Sequence, residues 1–193
     1  MLTVKTLRAP DRELVGLCAS ASRMSKRSKG DDGGPADLAL LSRLASAGDE
    51  HAKAVRGMMV YAEINAPRYW WVEMDTYRVG CEPLGSESTM HDNTHMSVDE
   101  LVDFKGALPE GTMQSRIWMF SYQALARIYL QRRVHRLPEW AYFNKWIEGL
   151  PFAQELILDP SERRERAALS MALTAGTPMD ELRAMVMKGV KLG

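Results

Sequence analysis

The chain has 193 residues, enough for one domain of ordinary size with a substantial hydrophobic core. Its 25 basic residues balance its 25 acidic ones, which argues against a nucleic-acid or membrane-surface partner attracted by overall charge. Two cysteines are too few for a disulfide framework, and no apolar run has the length of a membrane span or the position of a signal peptide. We therefore expect a cytoplasmic, reduced protein with no membrane partner.

The first half of the sequence predicts strands and helices in alternation. Residues 2–7 alternate apolar and polar side chains, as a strand does. Residues 12–24 have the apolar spacing of a helix, which Asp11 can cap. The patterns that follow predict a charged loop at 25–35, a helix at 36–48, a strand at 57–65, a helix at 68–78 and a loop from 79 to about 96.

The second half of the sequence predicts mainly helices. Ser97 and Glu100 have the spacing of a capping box, which begins a helix at residue 98. The segment 115–134 is apolar nearly all round as far as Leu130, which predicts a long helix buried in the protein or in an oligomer. Three further helices are predicted, from Pro138 to about Leu150, at 161–174 and at 178–188.

A dense group of polar and small residues lies between residues 69 and 91. Arg78 precedes a predicted loop that contains Gly85, Ser86 and Ser88. An arginine supplies a forked cation, and small residues let backbone N–H groups approach an anion closely. The pattern favours a phosphate or carboxylate pocket, although a buried tryptophan-rich helix followed by an ordinary polar loop explains the same residues.

The same segment resembles the signature of flavin-dependent thymidylate synthases. In that family a strand leads through a proline into a helix with Arg-Gln-x-x-Arg-His-Arg, and then into x-x-Ser-x-Asn-Glu-x-Ser-x-Arg-Tyr. When Pro67 is set on the family's proline, Glu73 takes the position of the glutamine and Tyr77 that of the histidine. Arg78 and Ser86 are the identities among the polar positions. The other aligned residues are Thr76 for an arginine, Cys81 for the first serine, and Ser88 and Thr89 for the closing Arg-Tyr.

A second segment resembles the family's Asn-x-Arg-Ser-Leu-x-His-Phe helix and the arginine that follows it. Ser121 stands at the asparagine and Gln123 at the first arginine. Arg127 stands at the histidine, and Arg132 takes the place of the later arginine. The order of elements resembles the family over about residues 1–150, so the likeness covers most of the chain.

The resemblance implies an α/β (α+β) fold, with a mixed sheet flanked by helices and extra helices at the C-terminus. Residues 1–158 would form the flavin- and nucleotide-binding domain, and 159–193 a helical extension of that domain. The implied protein is a homotetramer. Phage genomes contain many divergent chains of this kind, and a phage origin would place the protein in the host cytoplasm.

The implied reaction modifies carbon 5 of a pyrimidine deoxynucleotide, from dUMP to dTMP or by a related methylation or hydroxymethylation. FAD is the implied cofactor, with methylene-tetrahydrofolate and NADPH as co-substrates. The implied sites are Ser86 and Arg132 for catalysis, Tyr77, Arg78, Cys81, Gln123 and Arg127 for the cofactor, and Glu73, Gly85, Ser86 and Ser88 for the substrate.

One departure from the family pattern bears on the substrate. Glu73 accepts hydrogen bonds but cannot donate them when ionised, unlike the glutamine it replaces. It would therefore suit a ligand edge rich in donors, such as that of cytosine. No metal site is expected, because Cys81, His91 and His95 lack an evident fourth ligand.

Two other functions are compatible with the sequence. One is a non-catalytic nucleotide-binding or assembly protein of the same fold. The other is a DNA-binding regulator, because residues 169–189 have the cadence of a helix-turn-helix. Arg183 and Lys188 are the basic residues of its second helix, a weak surface for gripping phosphates.

Overall fold

The computed structural model contains a four-stranded antiparallel sheet. Its strands are β1 (Thr3–Arg8), β2 (Met59–Pro67), β3 (Cys81–Ser86) and β4 (Met113–Ser121). They lie in the order β1-β2-β4-β3, so that β2 and β4 are central and β1 and β3 are edges. Every second residue of β2 is buried, as expected where one face of a sheet packs on the core.

Helices flank this sheet, and several begin at the residues that the sequence indicates. Asp11 accepts a hydrogen bond from the Leu14 backbone N–H at 2.9 Å, and Ser97 and Glu100 form the predicted capping box. The described helices are α1 (Arg12–Ser22), α2 (Pro35–Ser46), a 3₁₀ helix (Ala52–Gly57), α3 (Arg68–Met74), α4 (Val98–Gly106), α5 (Tyr122–Arg132), α6 (Pro138–Glu148) and α7 (Ala153–Leu156).

A cluster of buried aromatic rings joins α3 to α6 and to the sheet. The ring of Trp70 lies 5.0 Å from that of Trp71 and 4.9 Å from that of Trp140. Trp71 stacks on Trp118 of β4 at 6.1 Å, and Trp70 also contacts Phe143 of α6. Large rings bury much apolar area in fixed arrangements, so this cluster holds α3 firmly between the sheet and α6.

The predicted α+β class, with helices flanking a sheet, is confirmed. The sheet is antiparallel in each pairing of its described strands, and the expectation of a mixed sheet is wrong. The long helix predicted at 115–134 is also wrong, because β4 occupies its first half and α5 begins only at Tyr122. The apolar run at residues 117–120 of β4 leads directly into α5, and periodicity alone does not distinguish a short apolar strand from a buried helix.

The helix predicted at 68–78 ends at Met74, and the predicted loop that follows contains β3. Proline and glycine are uncommon inside strands, so Pro83 and Gly85 make a loop the expected structure here. The sheet tolerates them because β3 is an edge strand whose register with β4 shifts between these two residues.

The structure describes residues 1–24, 32–48, 50–88, 90, 93–158, 178, 180–181 and 184. The chain divides into two compact units, Met1–Ile157 and Leu158–Gly193. Within the described residues, no helix is both long and apolar enough to span a bilayer. Several predictions lie outside the described residues, in whole or for most of their length: the loop at 25–31, Thr89, His91, and the tail helices with Arg183 and Lys188.

Candidate anion-binding site

The turn that follows α3, the start of β3 and one side of α5 line a cavity of about 330 Å³. This volume lies at the lower end of the range of about 300–1,000 Å³ that is usual for ligand sites. Among the residues that the structure describes, its lining contains three arginines and no acidic residue, so the cavity favours an anion. The lining residues are Thr76, Tyr77, Arg78, Val79, Cys81, Ala124, Arg127, Gln131 and Arg132.

A close contact between Gly80 and Ser121 brings the start of β3 beside the first turn of α5. Gly80 has φ of 76°, and an added Cβ would lie 2.5 Å from the Ser121 hydroxyl oxygen. The Ser121 N–H donates to the Gly80 carbonyl at 2.8 Å, and its hydroxyl accepts from the Ala124 N–H at 3.2 Å. Glycine is needed here for both its left-handed backbone and its lack of a side chain. Sequence analysis did not identify this contact, because neither a glycine nor a serine by itself indicates a close approach between two elements.

Arg132 lies at the end of α5 and is held on three sides. Its Nε donates to the Tyr77 hydroxyl at 2.7 Å, and its Nη1 donates to Glu73 Oε2 at 2.9 Å. Its guanidinium carbon lies 4.6 Å from the centre of the Trp140 ring. Stacking and charge-assisted bonds together fix the plane of the guanidinium group. Within the part of the chain that the structure describes, Nη2 has no hydrogen-bond partner.

Glu73 does not line the cavity but lies behind Arg132. Its Oε2 accepts from Arg132 and, at 2.9 Å, from Trp140 Nε1. The same oxygen lies 3.4 Å from His135 Nε2. Its proposed contact with the edge of a pyrimidine stays a prediction, and the structure shows instead that one of its oxygens is committed to other side chains.

Three further side chains complete the cavity lining. Arg78 comes from the turn before β3, Cys81 from the start of β3 and Arg127 from α5. The Cys81 side chain is buried, and burial raises its pKa to about 12 even though the nearby Arg127 charge acts in the opposite direction. The thiol therefore stays protonated at neutral pH. It closes the cavity as a small apolar group rather than as a nucleophile.

The small residues that sequence reasoning joined to Arg78 lie elsewhere. Ser86 is the last residue of β3, five steps of about 3.4 Å from Cys81, so extended backbone of about 17 Å separates it from the cavity. Gly85 is exposed, and an added Cβ there would meet nothing within 4 Å. The expectation that Arg78 and these residues surround one anion within a single chain is therefore not met.

Ser88 and Gln123 also lie apart from the cavity lining. The Ser88 hydroxyl accepts from the Met90 N–H at 3.3 Å. Gln123 is buried, and its side-chain oxygen accepts from Arg56 Nε, which ties α5 to the 3₁₀ helix. The roles predicted for these two residues in substrate and cofactor binding remain predictions.

A second, larger cavity of about 700 Å³ lies on the other side of α3. Arg116 of β4 is engaged there by both carboxylate oxygens of Asp75, at 2.9 and 3.1 Å, and lies over the ring of Trp71 at 4.4 Å. Three basic and three acidic residues line this cavity: Arg68, Lys105, Arg116, Asp75, Glu87 and Glu110. Its charges balance, unlike those of the smaller cavity.

The structure is that of an α+β protein with a basic cavity beside its sheet. Thymidylate Synthase X (ThyX) from Helicobacter pylori, solved with FAD and dUMP, matches the structure with a TM-score of 0.62 at 15% identity, covering 81% of this chain and 97% of its own. A second Helicobacter pylori structure, of flavin dependent thymidylate synthase ThyX complexed with FAD and dUMP, gives 0.62 and 15%, covering 80% and 97%.

A third structure is the UMP/dUMP methylase PolB from Streptomyces cacaoi, bound with 5-Br dUMP. It matches with a TM-score of 0.54 at 14% identity, covering 79% of this chain and 93% of its own. No protein-family model and no curated protein sequence matches the chain. At these identities the likeness establishes the fold, and the predicted resemblance to the fold of flavin-dependent thymidylate synthases is confirmed.

Proposed function

We propose that the chain is a flavin-dependent enzyme that modifies carbon 5 of a pyrimidine deoxynucleotide, converting dUMP to dTMP or performing a related methylation or hydroxymethylation. The main support is the cavity lined by three arginines and no acid, in a fold shared with proteins solved with FAD and dUMP. Arginine forks bind phosphate oxygens two at a time, which suits both a nucleotide and a dinucleotide cofactor.

The residues of the cavity fit the phosphate-bearing part of FAD. Arg78 and Arg127 would hold the diphosphate, and the ring of Tyr77 offers a flat surface beside it. The volume of about 330 Å³ suits such a part rather than the whole cofactor. When bound, FAD supplies the electron transfer, with methylene-tetrahydrofolate as carbon donor and NADPH as reductant. The protein's own task is then to bind, orient and exclude water.

Thr76, Ser88 and Gln123 each stand where the family pattern has an arginine. Each lost charge-assisted bond costs on the order of 1.5–3 kcal/mol. Arg127 and Arg132 line the same cavity as Arg78, so they are placed to restore the missing positive charge. This arrangement supports anion binding in spite of the divergent motif.

Arg132 is the residue we assign to the reacting ring. Of its five N–H groups, one is bonded to Tyr77 and one to Glu73, which leaves three for a ligand. Fixed donors aimed at an oxygen of the pyrimidine stabilise negative charge that develops there during reaction at carbon 5. Because the guanidinium is already held in place, little reorganisation is needed when that charge forms.

The separation of Ser86 from the cavity supports a site shared between copies of the chain. Gly85, Ser86 and Ser88 lie on or beside the exposed edge strand β3, where a second copy can approach them. In the proposed homotetramer, Ser86 of one copy would meet the arginine cavity of another and bind the nucleotide phosphate. A sharing arrangement of this kind makes activity depend on assembly.

Mass spectrometry of small molecules released from freshly purified protein tests this proposal most directly. We expect yellow protein that releases FAD and, with dUMP, methylene-tetrahydrofolate and NADPH, a product carrying a new one-carbon group. Bound nucleotide without flavin would favour the non-catalytic alternative. Protein that releases neither and does not bind dUMP would refute the enzyme assignment.

A further inference from the structure

Two donors converge on one oxygen of Glu73, and a histidine nitrogen lies close to the same oxygen. Arg132 Nη1 and Trp140 Nε1 each donate to Oε2 at 2.9 Å, and His135 Nε2 lies 3.4 Å away. The two donors belong to α5 and α6 and His135 to the turn between these helices, whereas Glu73 belongs to α3. One carboxylate oxygen therefore joins three elements directly behind the cavity.

The hydrogen bond of His135 to the backbone shows which of its ring nitrogens carries the proton of the neutral ring. His135 Nδ1 accepts from the Leu137 backbone N–H at 3.2 Å, so it bears no proton. The proton of the neutral ring is then on Nε2, the nitrogen that faces Glu73. Arg132 is the permanently charged partner of Glu73 in this group.

We propose that Glu73 is a positioning residue, which holds the Arg132 guanidinium against Trp140 so that its three remaining N–H groups are presented to the ligand. The inference rests on the proposed function of the arginine cavity, and it assigns Glu73 a role through Arg132 in place of direct contact with the base. Its Oε2 is already bonded to two donors, and Glu73 is not part of the cavity lining.

Positioning and simple charge have opposite consequences for anion binding. If Glu73 merely opposes the arginines, its removal strengthens anion binding because the cavity becomes more positive. If it positions Arg132, its removal weakens binding, because the guanidinium loses its orientation and Trp140 Nε1 loses its acceptor. A glutamine keeps a carbonyl oxygen for both donors and so preserves positioning without the charge.

Titration of the full-length protein with dUMP distinguishes positioning of Arg132 from a simple effect of charge. We expect Glu73→Leu to weaken binding about tenfold, the equivalent of one charge-assisted bond, and Glu73→Gln to stay within about threefold of wild type. Glu148→Leu is the matched control, since Glu148 accepts from the Tyr129 hydroxyl at 2.8 Å and does not line the cavity. Equal or tighter dUMP binding by Glu73→Leu would overturn the proposal.

The ratio of dUMP to dCMP affinity tests direct contact with the base. Positioning predicts the same ratio in wild type and Glu73→Gln, whereas a base edge read by Glu73 predicts a shift towards dUMP in the variant. A shifted ratio would overturn the positioning role.

The Nε–Hε signal of Arg132 in an NMR spectrum, assigned by its loss in Arg132→Lys, reports on positioning without any ligand. It should persist in Glu73→Gln and Glu148→Leu and broaden in Glu73→Leu. An unchanged signal in Glu73→Leu would contradict the proposal, even if the wild type binds no nucleotide and the proposed function fails. If Glu73→Leu does not fold, the test relies on Glu73→Gln. Loss of the Arg132 signal or of dUMP binding in Glu73→Gln would then contradict the proposal.

Discussion

Helix α3 and its C-cap residue pair with arginines on two sides, and the two pairs have similar distances, ring contacts and exposure. Glu73 accepts from Arg132 and Asp75 accepts from Arg116, both at 2.9 Å. The guanidinium groups lie over tryptophan rings, at 4.6 and 4.4 Å from the ring centres. The side chains of the two arginines are 18% and 19% exposed. Geometry at the pair alone therefore does not distinguish a ligand site from a structural link.

The surroundings of the two pairs differ. The cavity beside Arg132 adds Arg78 and Arg127 and contains no acid in its lining, so positive charge accumulates there. The cavity beside Arg116 contains as many acidic as basic residues, which can neutralise one another. An arginine pair lies in surroundings that favour an anion where the residues lining the same cavity are more basic than acidic.

The largest expected effect is on stability, and it should be similar on both sides. Trp140→Ala and Trp71→Ala each remove a fully buried ring, at a cost of about 3–5 kcal/mol in the free energy of unfolding. Urea unfolding measures this loss of free energy in each variant. Among folded variants, only Trp140→Ala should also weaken dUMP binding, because its ring lies under Arg132. An equal loss of binding in Trp71→Ala would erase the proposed difference between the two sides.

The next effect separates the two arginines by function. Arg132→Ala should lower dUMP affinity by about 1.5–3 kcal/mol, the value of a hydrogen bond to a charged group, or roughly 10- to 150-fold. Arg116→Ala should change it by less than about threefold, because Arg116 is taken up by Asp75 and Gln114. Isothermal titration calorimetry provides both values. A larger loss in Arg116→Ala would move the nucleotide site to the larger cavity.

A pH dependence is expected from the start of β3, within the arginine cavity. Burial raises the pKa of Cys81 to about 12 from an ordinary value of 9.0, so the folded protein holds this proton more tightly than the unfolded chain. The free energy of unfolding should be unaffected below pH 9.0 and fall above it, by at most about 1.4 kcal/mol per pH unit, until the folded pKa is reached. Denaturant midpoints over this range should fall less steeply in Cys81→Ala. An equal dependence of the midpoint on pH in wild type and Cys81→Ala would contradict a raised pKa of Cys81.

The smallest effect is expected at the other end of β3. Ser86→Ala should weaken dUMP binding by about 0.5–1.5 kcal/mol, one neutral hydrogen bond, and only at protein concentrations where the homotetramer forms. Affinity measured alongside sedimentation across a dilution series tests this. An effect of the same size in the monomer would show that Ser86 reaches a site in its own chain.

Local signals in the sequence identified the helices well. Asp11, Ser97 with Glu100, and Pro138 each begin a helix where predicted, because caps and prolines act within a few residues. Strands β3 and β4 were missed, because their pairing depends on residues distant in sequence and their composition resembles a loop and a helix.

The contrast between local signals and contacts distant in sequence also applies to the candidate site. Tyr77, Arg78, Cys81, Arg127 and Arg132 were all singled out from sequence, and the structure places all five in one cavity lining. Gly85 and Ser86 were expected beside them on the assumption of a loop, which can fold back, whereas an extended strand cannot. The role of Glu73 behind Arg132 depends on three elements meeting, which no short pattern in the sequence reveals.

The two pairing carboxylates lie only two positions apart, Glu73 in the last turn of the seven-residue helix α3 and Asp75 at its C-cap. In an α-helix each added residue turns all later side chains by about 100° and advances them by about 1.5 Å. An insertion or deletion between Pro67 and Glu73 would therefore detach both arginines at once, whereas one just after Glu73 would release Arg116 alone. Homologous chains should vary in residue type along this helix while keeping its length constant.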